Sequence, residues 1–206
     1  MPEPHYSKST LRAALRERRA SVSEENKKIL SENLITKFNT LPLTSPKNIA
    51  LYLSTPEEIS TYPLIGYLLT KGHSVYTPIL HPHLKRTMWF QKCNADTETC
   101  LNKYNMLEPI FNRENILAPW ELDLVLLPLV GFDEHGNRLG MGGGFYDNTF
   151  QHIKKHKTAA FIGLSYECQK VESCPHEPWD LSLDVVITPE RHYSFSSYFS
   201  GYEFKF

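Results

Sequence analysis

The chain has 206 residues, a length that suits one α/β domain with a substantial buried core. Its 41% hydrophobic and 22% charged residues are ordinary for a soluble globular protein, and its formal net charge of −1 lacks the basic excess of a nucleic-acid-binding protein. No apolar stretch approaches the roughly 20 residues that cross a bilayer, and the first residues lack an apolar signal core. We therefore expect a cytoplasmic protein with neither nucleic acid nor a membrane as its partner.

The first predicted helix covers residues 8–19. Leu11 and Leu15 lie on its apolar face, and four cations follow one another at spacings of four, four and three residues: Lys8, Arg12, Arg16 and Arg19. A cationic stripe of this kind, taken alone, indicates a solvated face.

Helices and strands then alternate. Ser23 caps a second helix that runs to residue 38, with an apolar stripe of Ile29, Leu30, Leu34 and Phe38. A third helix is predicted over 60–69, with Ser60 as its cap and Pro63 in its first turn, and a fourth over 145–156. Strands are predicted over 48–53, 74–80, 87–93, 122–130, 159–164 and 184–188.

This alternation predicts a single-domain α/β fold with a mostly parallel sheet and helices on both faces, an open three-layer α/β/α sandwich. The domain is expected to span residues 1–190. The tail, 191–206, either packs as an edge strand or stays loose. The segment 94–119 is weakly patterned, and its elements cannot be ordered from the sequence.

The four cysteines indicate neither a metal site nor a disulfide. Cys93, Cys100, Cys168 and Cys174 contain no C-x-x-C pair, and the spacing of Cys168, Cys174 and His176 matches no zinc pattern. Reduced thiols are therefore expected, as in the cytosol.

Two consecutive acids, Glu57 and Glu58, follow the end of the first predicted strand. Ligands of open α/β sheets bind beyond the carboxyl ends of the strands, so a carboxylate at this place can accept hydrogen bonds from a ligand. The alternative is a solvated loop acid, which the residue type alone favours.

A cluster of glycines lies between a buried strand and a predicted helix, and it comprises Gly140, Gly142, Gly143 and Gly144. Glycine lets backbone amides approach an anion, and a helix start adds partial positive charge, so the cluster predicts a phosphate site. Arg138 adds a cation, and Asp147 a carboxylate that can face a metal ion. The pattern is neither a P-loop nor G-x-G-x-x-G, and a mobile surface turn is the alternative.

The segment 123–147 closely resembles the signature of 5-formyltetrahydrofolate cyclo-ligases, also called 5,10-methenyltetrahydrofolate synthetases. The family pattern has an apolar strand ending in proline, F-D, G-x-R-L-G, a glycine-rich loop and Y-Y-D. It corresponds here to Leu127-Pro128, Phe132-Asp133, residues 136–140 and residues 145–147. The similarity extends to residues 8–12, 57–59 and 183–188. Two positions depart from the pattern: Gly143 stands where many members have lysine, and Phe145 replaces the first tyrosine.

The resemblance implies roles for individual residues. The catalytic cations would be Arg138, Lys8 and Arg12. ATP would contact Lys8, Ser9, Thr10, Leu11, Arg12, Arg138, Leu139, Gly140, Met141, Gly142, Gly143, Gly144, Phe145 and Tyr146. The folate would contact Glu58, Met141, Gly142, Gly143, Gly144 and Phe145. Mg²⁺ would be held by Asp147 and Asp184, although Asp184 starts a predicted strand and ligands gather where strands end. Arg16 and Arg19 keep the interpretation of a solvated face.

The reaction implied by the resemblance is the ATP- and Mg²⁺-dependent cyclisation of 5-formyltetrahydrofolate to 5,10-methenyltetrahydrofolate, with release of ADP and phosphate. The γ-phosphoryl group moves to the formyl oxygen, N-10 attacks the formyl carbon, and phosphate leaves as the ring closes. Such chemistry depends on positioning and charge stabilisation and needs no nucleophilic side chain. ATP and the folate would be the partners of a monomer.

Two alternatives to this activity stay open at this point. One is a different nucleotide-dependent enzyme on the same fold, such as a coenzyme A transferase-like enzyme or a sugar-phosphate isomerase. The other is a non-catalytic module that binds ATP or a folate, which the loss of the loop lysine at Gly143 would favour.

Overall fold

A computed structural model describes residues 7–45, 47–151 and 159–196 of the chain. Within these ranges the α-helices are α1 (Lys8–Ala20), α2 (Glu24–Phe38), α3 (Tyr62–Thr70) and α4 (Phe145–Phe150). The strands are β1 (Asn48–Leu51), β2 (Ser74–Leu80), β3 (Met88–Cys93), β4 (Thr99–Leu101), β5 (Leu107–Pro109), β6 (Ile116–Leu117), β7 (Leu124–Pro128), β8 (Gly131–Phe132), β9 (Arg138–Leu139), β10 (Ala160–Leu164), β11 (Val185–Ile187) and β12 (His192–Ser194).

Eight strands form the central sheet, in the order β12-β11-β10-β7-β1-β2-β3-β6. The five consecutive strands from β11 to β2 pair in parallel, whereas β12, β3 and β6 join antiparallel at the two sides. The two remaining hairpins, β4–β5 and β8–β9, stand outside this sheet. The predicted mostly parallel sheet is confirmed, and the carboxyl ends of its parallel strands meet at one edge.

The sheet is covered on both faces, as β7 in its centre shows. Leu124 and Leu126 point into one core with α2 and α3, while Val125 and Leu127 point into a second core with Phe150 of α4. Side chains of a strand alternate between faces, so a strand buried on both sides needs a continuous apolar run. The predicted three-layer arrangement is confirmed.

Helix α1 lies at the glycine-loop end of the molecule. Leu11 and Leu15 pack in a small cluster with Val130, Leu139 and Cys174. Ser7 caps the helix, since its side chain accepts a hydrogen bond from the Thr10 amide. This packing sets the first turn of α1 beside the loop that follows β9.

The solvated-face interpretation of Arg19 is wrong. Arg19 is only 2% exposed, whereas Arg16 on the same helix is exposed. Arg19 lies four residues after Leu15 and eight after Leu11, so it continues the apolar stripe of α1 rather than the cationic one.

Several predicted boundaries differ from the structure. In α2 the predicted stripe holds for Leu34 and Phe38, but Ile29 is 49% exposed. Helix α3 begins at Tyr62 instead of Ser60, because the Thr61 hydroxyl donates to the Tyr52 carbonyl and no side chain caps the helix. The strand predicted over 122–130 covers 124–128 only, since the chain turns into the β8–β9 hairpin.

The remaining differences concern the second half of the chain. The fourth predicted helix is described as far as residue 150, and residues 152–156 of the prediction lie outside the described residues. The start of the predicted tail is an edge strand, β12, which pairs with β11 and is one of the two arrangements predicted for this segment. Across the described ranges, no helix is long and apolar enough to cross a membrane.

Candidate active site

A cavity of about 780 Å³ opens at the carboxyl ends of β1, β2 and β7. Its wall comprises residues between 52 and 58 after β1, the end of β2, Pro128, the segment 138–147, and part of the β4–β5 hairpin. Lys8, Arg12 and Asp180 complete the lining. The volume lies in the range of small-molecule and cofactor sites, and its place is where open α/β sheets bind ligands.

The F-D and G-x-R-L-G motifs build a tight turn that delivers the glycine loop to this cavity. Asp133 is fully buried, and its carboxylate accepts hydrogen bonds from the backbone amides of His135, Asn137 and Cys174 and from the Asn137 side chain, at 2.9–3.0 Å. A buried carboxylate with this many donors fixes the backbone around it. The β8–β9 hairpin therefore places Arg138 and the glycines rigidly beside the pocket.

Within the glycine loop, two residues require glycine by conformation. Gly142 has φ of 102° and Gly144 has φ of 67°, which side chains disfavour. Gly143 lies outside that left-handed region, but a Cβ there would come within 2.8 Å of the Phe145 ring. Arg12 holds the loop from α1, since its Nε donates to the Gly140 carbonyl at 2.7 Å.

Two ion pairs lie at the glycine-loop end of the cavity. Arg138 Nη2 meets Asp147 Oδ1 at 2.6 Å, and Lys8 Nζ meets Asp180 Oδ2 at 3.0 Å. The Arg138 side chain is only 5% exposed, and its Nε has no hydrogen-bond partner among the described residues. Asp147 also accepts from the Leu181 amide at 2.8 Å. Two cations and two carboxylates thus line the same cavity.

The carboxylates in the cavity fit a magnesium ion. Asp147 and Asp180 both line it, and Mg²⁺ favours one or two carboxylates completed by water and phosphate oxygens. Burial raises the pKa of Asp180, but hydrogen bonds from Lys8 and the Glu177 amide outweigh it and lower the pKa overall. Asp180 is therefore ionised at neutral pH. Among the described residues, this site included, no group of three or more metal-binding side chains occurs.

Asp184, the second predicted metal ligand, does not line the cavity. It precedes β11 at the opposite edge of the sheet, is 9% exposed, and accepts hydrogen bonds from the Phe161 amide at 2.9 Å and from the Ser196 hydroxyl. These contacts tie β10 and β11 together. Asp180, four residues earlier, lines the cavity where Asp184 does not.

The other end of the cavity carries Glu58. Its residue is 7% exposed, and its carboxylate accepts from the Thr55 amide at 2.9 Å. Burial raises the pKa of Glu58, and the Thr55 hydrogen bonds and the Arg19 charge oppose that shift. Glu57 instead pairs with Arg19 and has a 67% exposed side chain. Both acids line the cavity, and Glu58 is the buried one, in the position expected of a ligand-binding carboxylate.

Two tyrosines accompany Glu58. Burial raises the pKa of both Tyr52 and Tyr146, and the Glu58 charge adds to each shift. Both hydroxyls therefore stay protonated and can donate hydrogen bonds. This end of the cavity combines a carboxylate acceptor with hydroxyl donors and apolar walls, which suits a flat heterocycle with amino groups.

Most of the predicted binding residues are brought together by the fold, and three are not. Lys8, Arg12, Arg138 and the stretch from Leu139 to Tyr146 all line the cavity. Ser9 and Thr10 are exposed at the start of α1, and Leu11 packs in the apolar cluster with Leu15. The helix explains this result, because only its residues four apart face the loop.

Sequence reasoning missed the β4–β5 hairpin. Residues 102 and 104–108 of this hairpin line the cavity. Tyr104 packs edge-on against Phe145, with the ring centroids 5.6 Å apart. Glu108 fixes the hairpin, because its carboxylate accepts from the Leu80 amide and the Asn102 side chain. A usable signal was Asn105, whose φ of 58° is a conformation that asparagine tolerates in tight turns.

The fold and the site together define a small-molecule enzyme of the open α/β class with a glycine-rich loop in the wall of its cavity. The chain belongs to the 5-formyltetrahydrofolate cyclo-ligase family, whose sequence profile matches residues 4–189. It is similar to the 5-formyltetrahydrofolate cyclo-ligase of Haemophilus influenzae, with 44% identity over 151 residues, 73% of this chain and 80% of that protein. With the cyclo-ligase of Escherichia coli K12 the identity is 36% over 178 residues, 86% of this chain and 97% of that protein.

A solved structure shares the fold. The 5,10-methenyltetrahydrofolate synthetase of Aquifex aeolicus superposes with a TM-score of 0.76 at 27% sequence identity, covering 91% of this chain and 92% of that one. The resemblance inferred from the motifs is therefore confirmed over nearly the whole chain.

Proposed function

We propose that this chain is a 5-formyltetrahydrofolate cyclo-ligase that couples ring closure to ATP cleavage. One observation carries the proposal: a single cavity joins a buried carboxylate, Glu58, to a glycine loop flanked by Arg138, Lys8 and Arg12. The first end suits the amino-pyrimidine edge of a pterin, and the second suits a polyphosphate. Family membership and the names of the relatives support the same activity.

The reaction transfers the γ-phosphoryl group from ATP to the formyl oxygen of 5-formyltetrahydrofolate, which leaves ADP. N-10 then forms a bond to the formyl carbon and loses its proton, the carbon–oxygen bond breaks, and phosphate leaves. The protein's task is to hold the two substrates in line and to stabilise moving negative charge. The planar guanidinium of Arg138 can donate two hydrogen bonds to a phosphate, and the Lys8 ammonium can offer it a point charge. Arg12 keeps the loop amides in place through its hydrogen bond to the Gly140 carbonyl.

We propose that Asp147 and Asp180 hold Mg²⁺ when Mg-ATP is bound. The ion would neutralise phosphate charge and so favour phosphoryl transfer. Each carboxylate is paired with a cation, Arg138 or Lys8, that can turn to a phosphate oxygen. Binding would then exchange ion-pair partners without leaving a buried charge uncompensated.

The proposal is tested by measuring ADP and phosphate release with and without 5-formyltetrahydrofolate. A cyclo-ligase releases one ADP and one phosphate for each folate consumed, and releases little ADP when the folate is omitted. A module that only binds its ligands would bind ATP without folate-dependent ADP release. A nucleotide-dependent enzyme of another kind would turn over without the folate.

The family and its relatives do not favour these two alternatives. A cytoplasmic location and a monomeric state remain predictions.

The proposed metal site makes Asp147→Asn diagnostic. We expect the Mg²⁺ concentration for half-maximal rate to rise about tenfold, the effect of roughly 1.4 kcal/mol of lost stabilisation. The asparagine side chain can still accept from the Leu181 amide, so the fold should survive. The measurement is a Mg²⁺ titration of the initial rate, with thermal unfolding recorded for each variant.

Asp184→Asn provides the matched control for this prediction. Its carboxylate bridges the Phe161 amide and Ser196, so the variant should lose thermal stability while its Mg²⁺ half-saturation stays that of the parent. A shift in Mg²⁺ half-saturation for Asp184→Asn, with none for Asp147→Asn, would reverse the assignment.

Substitutions of the two consecutive acids, Glu57 and Glu58, are expected to differ in their effect on folate binding. Glu58→Ala should raise the KM for 5-formyltetrahydrofolate about tenfold or more and leave the KM for ATP unchanged, because the loss of one charge-assisted hydrogen bond costs roughly 1.5–3 kcal/mol. Glu57→Ala should raise this KM less, since its side chain is 67% exposed and its carboxylate is already paired with Arg19. The larger effect at Glu57 would mean that the wrong acid has been assigned.

A further inference from the structure

Arg19 is a buried cation that packing does not explain. It lies in the last turn of α1, is 2% exposed, and its Nη2 donates to Glu57 Oε2 at 2.9 Å. Its Nε is buried without a hydrogen-bond partner among the residues that the structure describes. Burying a guanidinium is costly, and an apolar side chain on this stripe would pack without that cost. The charge therefore calls for a role other than stabilising the helix contact.

The group that Arg19 holds is the turn that carries Glu58. The turn is closed by the Glu58 amide, which donates to the Thr55 carbonyl at 3.0 Å, and Lys27 of α2 donates to the Pro56 carbonyl at 3.0 Å. On this turn Glu57 points to Arg19, while the Glu58 carboxylate folds back on the Thr55 amide. Both acids line the cavity, and the ion pair holds the Glu57 carboxylate on Arg19 while that of Glu58 is left to a ligand.

Arg19 also acts on the charge of Glu58. The titratable groups that face Glu58 are Arg19 from α1, its neighbour Glu57, Tyr52 after β1, Tyr146 of α4 and Tyr166 after β10. Burial raises the pKa of Tyr166 to about 12 and keeps all three tyrosines neutral near pH 7. Arg19 is the cation of this set, and its charge lowers the pKa of Glu58 against the effect of burial.

We infer that Arg19 is a positioning residue for the folate. By binding Glu57 it holds the 55–58 turn so that Glu58 faces the pterin. This inference rests on the proposed function. Its second consequence is electrostatic: the Arg19 charge keeps Glu58 in the form that accepts hydrogen bonds. Since the first turns of the same helix carry Lys8 and Arg12, α1 connects the folate end of the cavity with the phosphate end.

The test compares Arg19→Met with Arg16→Met, an exposed arginine of the same helix that does not line the cavity. We expect Arg19→Met to raise the KM for 5-formyltetrahydrofolate about tenfold, with the KM for ATP within about twofold of the parent, as for one lost charge interaction. Removing a positive charge raises the pKa of Glu58. The acid limb of kcat/KM for the folate should therefore move to higher pH, by about one unit.

Arg19→Lys separates the charge from the geometry, because lysine keeps the charge but not the rigid fork. It should fold even if the Met variant does not, raise the folate KM less than methionine does, and leave the acid limb in place. Thermal unfolding checks each variant. The inference is overturned if Arg19→Met behaves as Arg16→Met, if the KM values for ATP and folate rise together, or if the Lys variant leaves the folate KM unchanged. A parent protein without folate-dependent turnover would instead overturn the proposed function.

Discussion

Arg138→Lys is expected to lower kcat/KM for ATP about a hundredfold, roughly 2.7 kcal/mol of transition-state stabilisation. Arg138 is almost fully buried at the phosphate end of the cavity, and one of its nitrogens pairs with Asp147 at 2.6 Å. A guanidinium that turns to a phosphate can donate two parallel hydrogen bonds to it, whereas a lysine ammonium is a single point charge on a flexible stem. The loss should appear in steady-state kinetics at saturating folate.

Arg113→Lys is a suitable control, because Arg113 is exposed and lies outside the cavity. This variant should keep the parent's kinetics. Thermal unfolding of Arg138→Lys is needed beside the kinetics, since the Arg138–Asp147 pair is partly buried and its distortion also costs stability. If Arg138→Lys folds and matches the parent in kcat/KM for ATP, then Arg138 serves only to hold Asp147.

The second large effect is expected at the start of α1. Lys8→Ala and Arg12→Ala should each lower kcat/KM for ATP tenfold or more, about 1.4 kcal/mol. Gly143 leaves the glycine loop without the lysine that many members carry, so the cations of α1 must supply that charge. Both line the cavity, and Arg12 is bonded to the loop itself at the Gly140 carbonyl. Parent-like kinetics in both variants would show that the stripe is a solvated face.

Gly143→Lys should partly rescue these variants, and the structure predicts which one it rescues better. The backbone at 143 lies outside the left-handed region, so a side chain is allowed once the Phe145 ring moves aside. Lys8 contributes only a charge, which the new lysine can replace. Arg12 also holds the loop through Gly140, a contact that the new lysine does not restore. Rescue of Lys8→Ala should therefore exceed rescue of Arg12→Ala, with equal rescue counting against the holding role of Arg12.

Local patterns predicted the sheet and the glycine loop because both depend on residues close in sequence. The apolar run around β7 must be buried on both faces, and Asp133 builds its turn from residues two and four positions away. The hairpin at 99–109 escaped prediction because its strands are three residues long and largely exposed, so no apolar periodicity marks them.

The positions of Asp184 outside the cavity and of Arg19 in the interior share a physical cause, since each depends on contacts distant in sequence. Asp180 lies in the cavity wall beside Lys8, which donates to its carboxylate from 172 residues away in sequence. The sequence around Asp180 contains no pattern that distinguishes it from Asp184. Arg19 fits two helical stripes, one after Arg12 and Arg16 and one after Leu11 and Leu15. Only the fold decides between them, because it places the Glu57 turn over the apolar stripe.

The most direct test of this account is the appearance of the methenyl product. The purified protein is mixed with 5-formyltetrahydrofolate and Mg-ATP, and the absorbance of 5,10-methenyltetrahydrofolate is followed against reactions that lack ATP or contain Arg138→Lys. We predict growth of the methenyl band that needs ATP, matches the ADP released, and is about a hundredfold slower in the variant at low ATP. Binding of both ligands without any methenyl product would contradict the account.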